Sequence, residues 1–312
     1  MKVHQFPLPT PFPVGQVNVY LLEEPLTLVD TGPGTTDALR VLEGQLKSRG
    51  FVVSDIERVL ITHGHVDHHG LASQIREVSS ADVYVGTEDK LLVEDFHGQM
   101  ERVEKDVAPR LERLGLPQEA ATRLAQYHKM IRKTGEDVNV DFELRSGDKI
   151  PFKSGSLRVL EVPGHTPGSV ALADDGGKVF SGDTILEDMV PDAIFSLEDV
   201  HSTGLRTYIQ TLKSLKDQNF SLAMPGHGEP FTKPERMIDS LLFNYSDRKS
   251  KVLQLLGDWS SAIDLSKQIF GDLKLQQVLY AVNETMQQCA LLMSEGAIMM
   301  KEQDRRIVFK RV

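Results

Sequence analysis

Residues 62–70 read THGHVDHHG and place four histidines and one aspartate within nine residues. They directly follow the apolar run RVLI at residues 58–61, which predicts a short buried strand. Imidazoles and carboxylates bind borderline divalent ions such as zinc, and a loop at a strand end can aim several of them at one point. One loop cannot complete a coordination sphere, so a metal site here needs ligands from other parts of the chain.

Three later loops place a histidine or an aspartate beside glycine, where the backbone can turn tightly and leave room for an ion. They are PGHTPGS at residues 163–169, FSGDT at 180–184 and PGHGEP at 225–230. Each loop alone is a weak signal, because a lone histidine after a strand is usually an ordinary polar side chain. The four loops in this order favour a metal site over four unrelated turns.

The elements around these loops alternate between strand and helix patterns, which indicates a layered α/β domain. Strand patterns are found at residues 16–22, 26–30, 58–61, 81–86, 157–163, 169–175 and 178–183. Helix patterns are found at residues 35–50 and after the histidine-rich loop, and DDGG at 174–177 predicts a tight hairpin. From about residue 232 the pattern is mostly helical and ends in a β-like segment, RRIVFKRV.

Residues 88–135 interrupt this alternation. Leu92, Phe96 and Met100 recur at helical spacing, as on the buried face of an amphipathic helix. Pro109 is expected to bend or divide that helix, GLP at residues 115–117 is expected to end it, and a second helix is predicted from there to about residue 133. We predict a helical hairpin inserted between strands, where it could form a lid, a dimer contact or a substrate wall.

The composition is that of an ordinary globular protein and limits the classes of partner. Hydrophobic residues make up 40% and charged residues 26% of the 312 residues, and no run of about 18 apolar residues predicts a membrane span. A formal net charge of −10 disfavours broad binding of nucleic acid, which needs a cationic surface. The single cysteine, Cys289, and the lack of a signal-like apolar start favour a reducing cytoplasm and exclude thiolate-rich metal sites.

The four loops resemble those of the metallo-β-lactamase-fold superfamily over roughly residues 1–230. The first loop matches the family pattern H-x-H-x-D-H, and PGHTPGS, SGDT, PGHG and LVDTGPG match further family signatures. The resemblance implies an α/β fold, a four-layer αββα sandwich with a helical insertion and a small, mainly helical C-terminal domain. We expect a catalytic domain at residues 1–231, an insertion within it at about 88–135, and a winged-helix-like domain at 232–312.

The resemblance also implies a role for each matching side chain. The implied ligands are His63, His65 and His165 for one metal ion, Asp67, His68 and His227 for a second, and Asp183 as a bridge between them. The implied cofactors are two divalent metal ions, zinc above all, with iron or manganese as alternatives. Asp67 and Asp183 are the two residues implied in catalysis.

Three neighbouring residues are expected to support this ligand set. Asp30 ends a buried strand and is expected to orient the histidine-rich loop, as carboxylates around metal ligands do. The alternative for Asp30 is a simple turn cap, since Asp-Thr-Gly is common turn chemistry. Thr62 and Thr184 are expected to help through hydrogen bonds, whereas His69 has no role in the pattern and is predicted to start a helix or line a pocket.

The function implied by this ligand set is a dinuclear metal-dependent hydrolase that uses a metal-bridging hydroxide to attack a carbonyl. The segment VNVYLL at residues 17–22 and the loops look most like the glyoxalase II-like branch, which implies a thioester or ester-like small-molecule substrate. Lactonases are less favoured, because several lactonases of the family place a tyrosine shortly after the bridging aspartate and this chain has TILE after Asp183.

Other functions stay open at this point. The tail is similar to an extension found in some lactamase-fold hydrolases, one of which acts on RNA, so a phosphodiesterase or ribonuclease is an alternative. Residues 231–312 carry 12 basic and 10 acidic residues, a balance that favours a packing element or a homodimer contact over nucleic-acid binding. A persulfide dioxygenase-like enzyme with one iron and an inactive scaffold are further alternatives, which the complete ligand set disfavours.

Overall fold

The computed structural model describes residues 1–187, 189–193, 204–271 and 275–312 of the chain. A first sheet of six strands is built in chain order. Its strands are β1 (Val3–Leu8), β2 (Val17–Leu22), β3 (Thr27–Val29), β4 (Arg58–Ile61), β5 (Asp82–Gly86) and β6 (Phe142–Leu144). Pairing is antiparallel from β1 to β3 and parallel from β3 to β6, so the carboxyl ends of β3, β4 and β5 share one edge.

A second sheet of six strands has the order β12-β11-β10-β9-β8-β7. Its strands are β7 (Lys149–Phe152), β8 (Gly155–Glu161), β9 (Val170–Asp174), β10 (Lys178–Gly182), β11 (Leu222–Pro225) and β12 (Phe231–Thr232). The predicted tight hairpin is confirmed, since it joins β9 to β10 in an antiparallel pair. Strands β10 and β11 are parallel, which brings their carboxyl ends side by side.

The two sheets pack face to face across a shared apolar layer. Tyr20 and Leu60 of the first sheet lie in one buried cluster with Leu172 and Phe180 of the second. The rings of Tyr20 and Phe180 meet edge to face with their centroids 5.2 Å apart. Burial of both inner faces leaves the two outer faces to be covered by helices.

Helices cover these outer faces. The α-helices of the described residues are α1 (Thr36–Ser48), α2 (Val66–His69), α3 (Ala72–Ser79), α4 (Lys90–Glu94), α5 (Phe96–Arg113), α6 (Gln118–Ile131), α7 (Gly204–Lys216), α8 (Pro234–Leu255), α9 (Ala262–Phe270) and α10 (Leu275–Ser294), of which α1 and α7 are examples that cover the two faces. Leu42 of α1 packs in the cluster of Val59 in β4, and Leu212 of α7 packs in that of Val179 in β10. The order of layers confirms the predicted αββα sandwich. Within the described ranges, every helix is too short or too polar to cross a lipid bilayer.

Helix α1 shows how local sequence sets the boundaries of an element. The hydroxyl of Thr35 accepts a hydrogen bond from the Ala38 N–H at 3.2 Å and so caps the amino end. Leu42 and Leu46 are four residues apart and lie together on the buried face. The helix ends before Gly50, whose φ of +85° is a left-handed conformation that glycine adopts readily.

The predicted helical insertion is present as α4, α5 and α6, and it packs against the carboxyl-terminal part of the chain. Val107 and Leu111 of α5 share a buried cluster with Ile263 of α9. Helix α5 continues through Pro109, so of the two predicted effects of this proline, a bend or a division, the division is wrong. Burial of Val107 and Leu111 on either side of Pro109 offsets the backbone hydrogen bond that proline removes.

The carboxyl-terminal region adds a three-stranded sheet of order β13-β15-β14. Its strands are β13 (Ser260–Ser261), β14 (Ile298–Gln303) and β15 (Arg306–Arg311). Helix α8 joins this region to the sandwich, because Ile238 and Tyr245 pack beneath the second sheet and Val252 packs with the carboxyl-terminal cluster. The division at 231 and 232 and the winged-helix-like character of the tail stay predictions.

Substitution of Phe309 tests the packing between the insertion and the carboxyl-terminal region. It is fully buried in β15, which α5 and α9 both contact. We expect Phe309→Ala to lower the free energy of unfolding by about 3–5 kcal/mol, because it leaves a cavity in that cluster. Urea denaturation at a fixed metal concentration measures the loss. Phe243→Ala is the matched control, since Phe243 is 70% exposed; equal losses in the two variants would contradict this packing.

Candidate metal centre

The four histidine and aspartate loops meet at one edge of the sandwich. The first loop follows β4, the second joins β8 to β9, the third follows β10 and the last follows β11. Because β10 and β11 are parallel, their loops emerge side by side, and β4 brings the first loop from the facing sheet. The structure gathers all seven predicted ligand side chains, which are His63, His65, Asp67, His68, His165, Asp183 and His227.

These side chains form three overlapping groups in which the potential ligand atoms lie within 4.8 Å of one another. The groups are His63, His65 and His165; His63, His68 and Asp183; and Asp67, His68 and His227. The first and third groups are the two triads expected from the sequence. Asp183 lies close to members of both triads, where a shared carboxylate would lie between two ions.

The spacing of the ligand atoms fits a small divalent ion. His165 Nε2 is 2.9 Å from His65 Nδ1 and 3.7 Å from Asp183 Oδ2. His227 Nε2 is 3.5 Å from both Asp67 Oδ2 and Asp183 Oδ2. Ligands about 2.0–2.2 Å from a tetrahedral ion lie roughly 3.3–3.6 Å from one another. The observed separations lie around that range without any rearrangement of the loops.

Buried polar atoms without partners give an independent test of the fit. Several buried side-chain atoms in the described residues make no hydrogen bond, and three of them belong to predicted ligands: His68 Nε2, Asp183 Oδ1 and His227 Nε2. Leaving a buried polar atom unpaired costs about 1–3 kcal/mol. These three atoms lie together among the grouped ligand atoms, so one bound cation would pair with them, and the donor set fits such an ion.

Gly226 provides the space at the centre of this group. A Cβ atom at this position would lie 2.3 Å from Asp183 Oδ1 and 2.7 Å from His68 Cε1. Any side chain there would press against two predicted ligands. The glycine in the last loop therefore keeps the volume between the ligands open.

Burial and neighbouring charges shift the pKa values of the predicted ligands. Burial opposes ionisation of Asp183, yet the imidazoles of His68 and His227 hold its pKa well below the usual value. Burial and the neighbouring His68 lower the pKa of His63 well below 6.5. Burial also acts on His68, but the carboxylates of Asp183 and Asp30 raise its pKa well above 6.5. A cation that binds His68 must therefore displace a proton, as metals do at histidine ligands.

Asp30 holds the histidine-rich loop through three hydrogen bonds. Its Oδ1 accepts from the Thr62 N–H at 2.8 Å, and its Oδ2 accepts from the Thr62 hydroxyl at 2.9 Å and from His68 Nδ1 at 2.8 Å. The residue is buried and has a φ of +62°, a region that is unfavourable for side chains other than glycine. The bond to Nδ1 leaves Nε2 of His68 as the atom that faces the site.

Thr184 and His69 occupy different surroundings from those of Asp30 and Thr62. The backbone carbonyl of Thr184 accepts a hydrogen bond from Tyr208 Oη at 2.6 Å, so the bond that fixes this loop runs to α7 rather than to a ligand. His69 is buried with its ring 5.3 Å from that of Phe96, edge to face. It therefore lies between the first loop and the insertion, and it belongs to neither triad.

Two backbone carbonyls orient one histidine of each triad. His165 Nδ1 donates to the carbonyl of Asp192 at 2.8 Å, and His227 Nδ1 donates to that of Gln16 at 2.7 Å. Each bond fixes the tautomer in which Nε2 is free to bind a cation. No sequence pattern indicated these partners, because every residue has a carbonyl and only the fold places one here.

Asp89 ties two histidine loops together and was missed from the sequence. Its Oδ2 accepts from the Gly64 N–H at 2.7 Å and from the Thr166 hydroxyl at 2.5 Å, and its Oδ1 accepts from the Gly168 N–H at 2.7 Å. It is fully buried, and burial raises its pKa. The first and second loops are thus held at a fixed separation by one carboxylate, which in the sequence is one acidic residue among several.

The carboxyl-terminal helices hold the segment that orients His165. Tyr245 Oη of α8 donates to the carbonyl of Pro191 at 3.0 Å, and Gln287 Nε2 of α10 donates to that of Ala193 at 2.5 Å. These bonds lie on either side of Asp192, whose carbonyl accepts from His165. The region outside the αββα core therefore contributes to the geometry of the site.

Asp89→Asn tests the link between the two loops. Asparagine keeps the size of the side chain, but its NH₂ group cannot accept a hydrogen bond, so it must face a donor of one of the loops. We expect metal affinity to fall about 10–100-fold, as for other groups that orient ligands. Competition with a chelator measures the affinity. Asp175→Asn, at an exposed turn, is the control; unchanged affinity in Asp89→Asn would show that the link does not position the ligands.

Comparison with known proteins agrees with this architecture. A family model described as Metallo-beta-lactamase superfamily matches residues 12–227. Probable metallo-hydrolase YqjP of Bacillus subtilis (strain 168) is 28% identical over 312 residues, covering 97% of this chain and 96% of that protein. Hydroxyacylglutathione hydrolase GloC of Haemophilus influenzae is 26% identical over 182 residues, covering 56% of this chain and 69% of that protein.

Similarity to a solved structure extends beyond the matched region. The crystal structure of a metallo-beta-lactamase family protein from Thermus thermophilus has a TM-score of 0.85 with this chain, at 26% identity. The match covers 99% of this chain and 98% of that one, so it includes the insertion and the carboxyl-terminal region. With residues 12–227 matched by the family model, this chain belongs to the metallo-β-lactamase superfamily.

Proposed function

We propose that this chain is a dinuclear metal-dependent hydrolase that acts on the carbonyl of a thioester or ester-like small molecule. The observation that carries the proposal is the presence of two complete triads on either side of one carboxylate. Membership of the superfamily and the relative named as a metallo-hydrolase support a hydrolase in general. Beyond a hydrolase in general, we propose that two ions are bound and that the substrate is a thioester or an ester-like molecule.

In this proposal each triad holds one divalent ion, most favourably zinc. His63, His65 and His165 would hold the first ion and Asp67, His68 and His227 the second, with Asp183 close to members of both triads. Two such ions, when bound, lower the pKa of a shared water and stabilise the negative charge that develops on a carbonyl oxygen. The chain supplies a set of neutral imidazoles and carboxylates with no thiolate, which suits zinc and also accommodates iron or manganese.

The remaining steps belong to the protein's own residues. Asp67 is less buried than His68 and His227, with 13% of its side chain exposed, so it is the carboxylate best placed to orient water and to pass a proton to the leaving group. Asp30 keeps His68 in the tautomer that presents Nε2 to the site. Asp183 is held between the triads by close contacts with His68 and His227.

A thioester is the carbonyl substrate that we favour. The relative named Hydroxyacylglutathione hydrolase GloC is a thioester hydrolase by its name, and the match spans 56% of this chain. Residues 17–22, which look most like the glyoxalase II-like branch, include Asn18 and Tyr20. Both donate hydrogen bonds to the carbonyl of Pro225, which begins the last histidine loop. We also propose that the substrate is a small molecule, that the protein works in a reducing cytoplasm and that it forms a homodimer.

A nuclease and an iron oxidoreductase are the competing proposals. The near-neutral balance of charge at residues 231–312 gives little support to binding of a polyanion. A one-iron dioxygenase would leave the triad of Asp67, His68 and His227 without a role, although this triad is complete and two of its members are buried. Metal analysis combined with turnover in the absence of oxygen separates these enzymes: two zinc ions with oxygen-independent hydrolysis support our proposal, and one iron with oxygen consumption contradicts it.

His65→Ala tests the role of the first triad. His65 is the most exposed of the three histidines, so its removal disturbs packing least. We expect bound metal to fall by about one ion per chain and kcat/KM for a thioester to fall by about three orders of magnitude or more, because charge stabilisation at the carbonyl is lost. Elemental analysis, thioester kinetics and circular dichroism measure metal, activity and fold.

His4→Gln is the control for this variant, because His4 pairs with Glu23 at the far edge of the first sheet. It should retain both metal and turnover. Full thioester hydrolysis by His65→Ala, with its metal confirmed absent, would overturn the proposed mechanism.

A further inference from the structure

A cavity of about 350 Å³ lies between the helical insertion and helix α10. Its walls are mainly aliphatic. Among the described residues, the lining includes Leu111, Leu114, Leu116 and Leu124 of the insertion and Leu279 of α10. The volume is at the lower end of the range for small-molecule sites, which are concave and mostly apolar with a few polar groups.

The cavity lining includes parts of the two backbone segments that orient histidines of the candidate metal centre. Asp192 lines the cavity, and its carbonyl accepts the hydrogen bond from His165 Nδ1 at 2.8 Å. Pro13 also lines the cavity, and three residues later the carbonyl of Gln16 accepts from His227 Nδ1 at 2.7 Å. One wall segment is therefore fixed to each triad.

Two tyrosines, Tyr127 and Tyr280, also lie on the cavity wall. Burial raises the pKa of both phenols. The ring of Tyr127 also meets Phe12 edge to face, 6.4 Å between centroids, which closes the cavity towards the loop before β2.

We propose that this cavity receives the apolar acyl group of the substrate, so that the chain favours thioesters of medium-length aliphatic acids over those of acetate or of hydrophilic acids. The inference rests on the proposed thioester hydrolysis and narrows its substrate class. With the acyl chain among the leucines, its carbonyl is directed towards the side of the cavity that carries Asp192, next to His165.

The leucine walls also set the size of the expected preference. Each methylene that leaves water for an apolar site favours binding by about fourfold in the equilibrium constant. We therefore expect kcat/KM to rise about fourfold for each added methylene until the cavity is full, and then to level off or fall. A hydroxyl on the part of the acyl chain that lies among the leucines would remove this gain, because those aliphatic walls give it no hydrogen-bond partner. The polar part of the lining consists of Arg110, Arg123, Asp192, Asn283 and the two tyrosines.

The test uses the metal-loaded full chain and acetyl, butyryl, hexanoyl, octanoyl and decanoyl thioesters of one thiol. Leu279→Trp places a larger side chain in the cavity and should reduce the ratio of octanoyl to acetyl kcat/KM by about tenfold or more. Leu91→Trp is the matched control, since Leu91 is 57% exposed on α4 and does not line the cavity. Leu124→Gln, which keeps a similar size but adds a polar group, serves if Leu279→Trp does not fold.

A binding measurement separates the cavity from the chemistry. S-octyl and S-ethyl thioethers of the same thiol cannot be hydrolysed, and calorimetric titration should show tighter binding of the octyl compound to the wild type than to Leu279→Trp. Thioester hydrolysis without any dependence on chain length would overturn the cavity assignment and leave the proposed function standing. Thioether binding that depends on chain length, without thioester hydrolysis, would overturn the proposed function and leave the cavity as an apolar binding site. If neither chain-length-dependent binding nor thioester hydrolysis is found, both proposals are overturned.

Discussion

The constraint on which the site depends is the burial of several polar atoms of the predicted ligands. These atoms face one another and make no hydrogen bond. His68 Nε2, His227 Nε2 and Asp183 Oδ1 are shielded from solvent at the edge of a well-packed sandwich. Each unpaired atom costs about 1–3 kcal/mol, and one bound cation can satisfy several of them at once. Stability and metal binding are therefore coupled, since a cation that binds only the folded chain stabilises it.

The surrounding fold serves to hold those atoms in position. Carboxylates of Asp30 and Asp89 fix the loops from within the core, while the carbonyls of Gln16 and Asp192 orient two imidazoles from outside it. The Asp192 segment depends in turn on hydrogen bonds from α8 and α10. The insertion and the tail, which pack on each other, thus complete both the ligand geometry and the wall of the apolar cavity.

Much of this architecture was predictable because its signals are local. Glycine-flanked histidines after apolar strands indicated the four loops that the structure brings together, and the end of a buried strand drew attention to Asp30, which contacts His68. Asp89 could not be found in this way, because its role depends on two loops that come together only in three dimensions. The absence of a helix break at Pro109 has a related cause, since packing on both sides of it outweighs the local preference of proline.

Anomalous X-ray scattering from crystals of the zinc-loaded protein tests the central claim most directly. The account predicts two peaks per chain, one within bonding distance of His63, His65 and His165, the other within bonding distance of Asp67, His68 and His227, with Asp183 in contact with both. An absence of peaks at saturating zinc, with these seven side chains pointing away from any common centre, would contradict it.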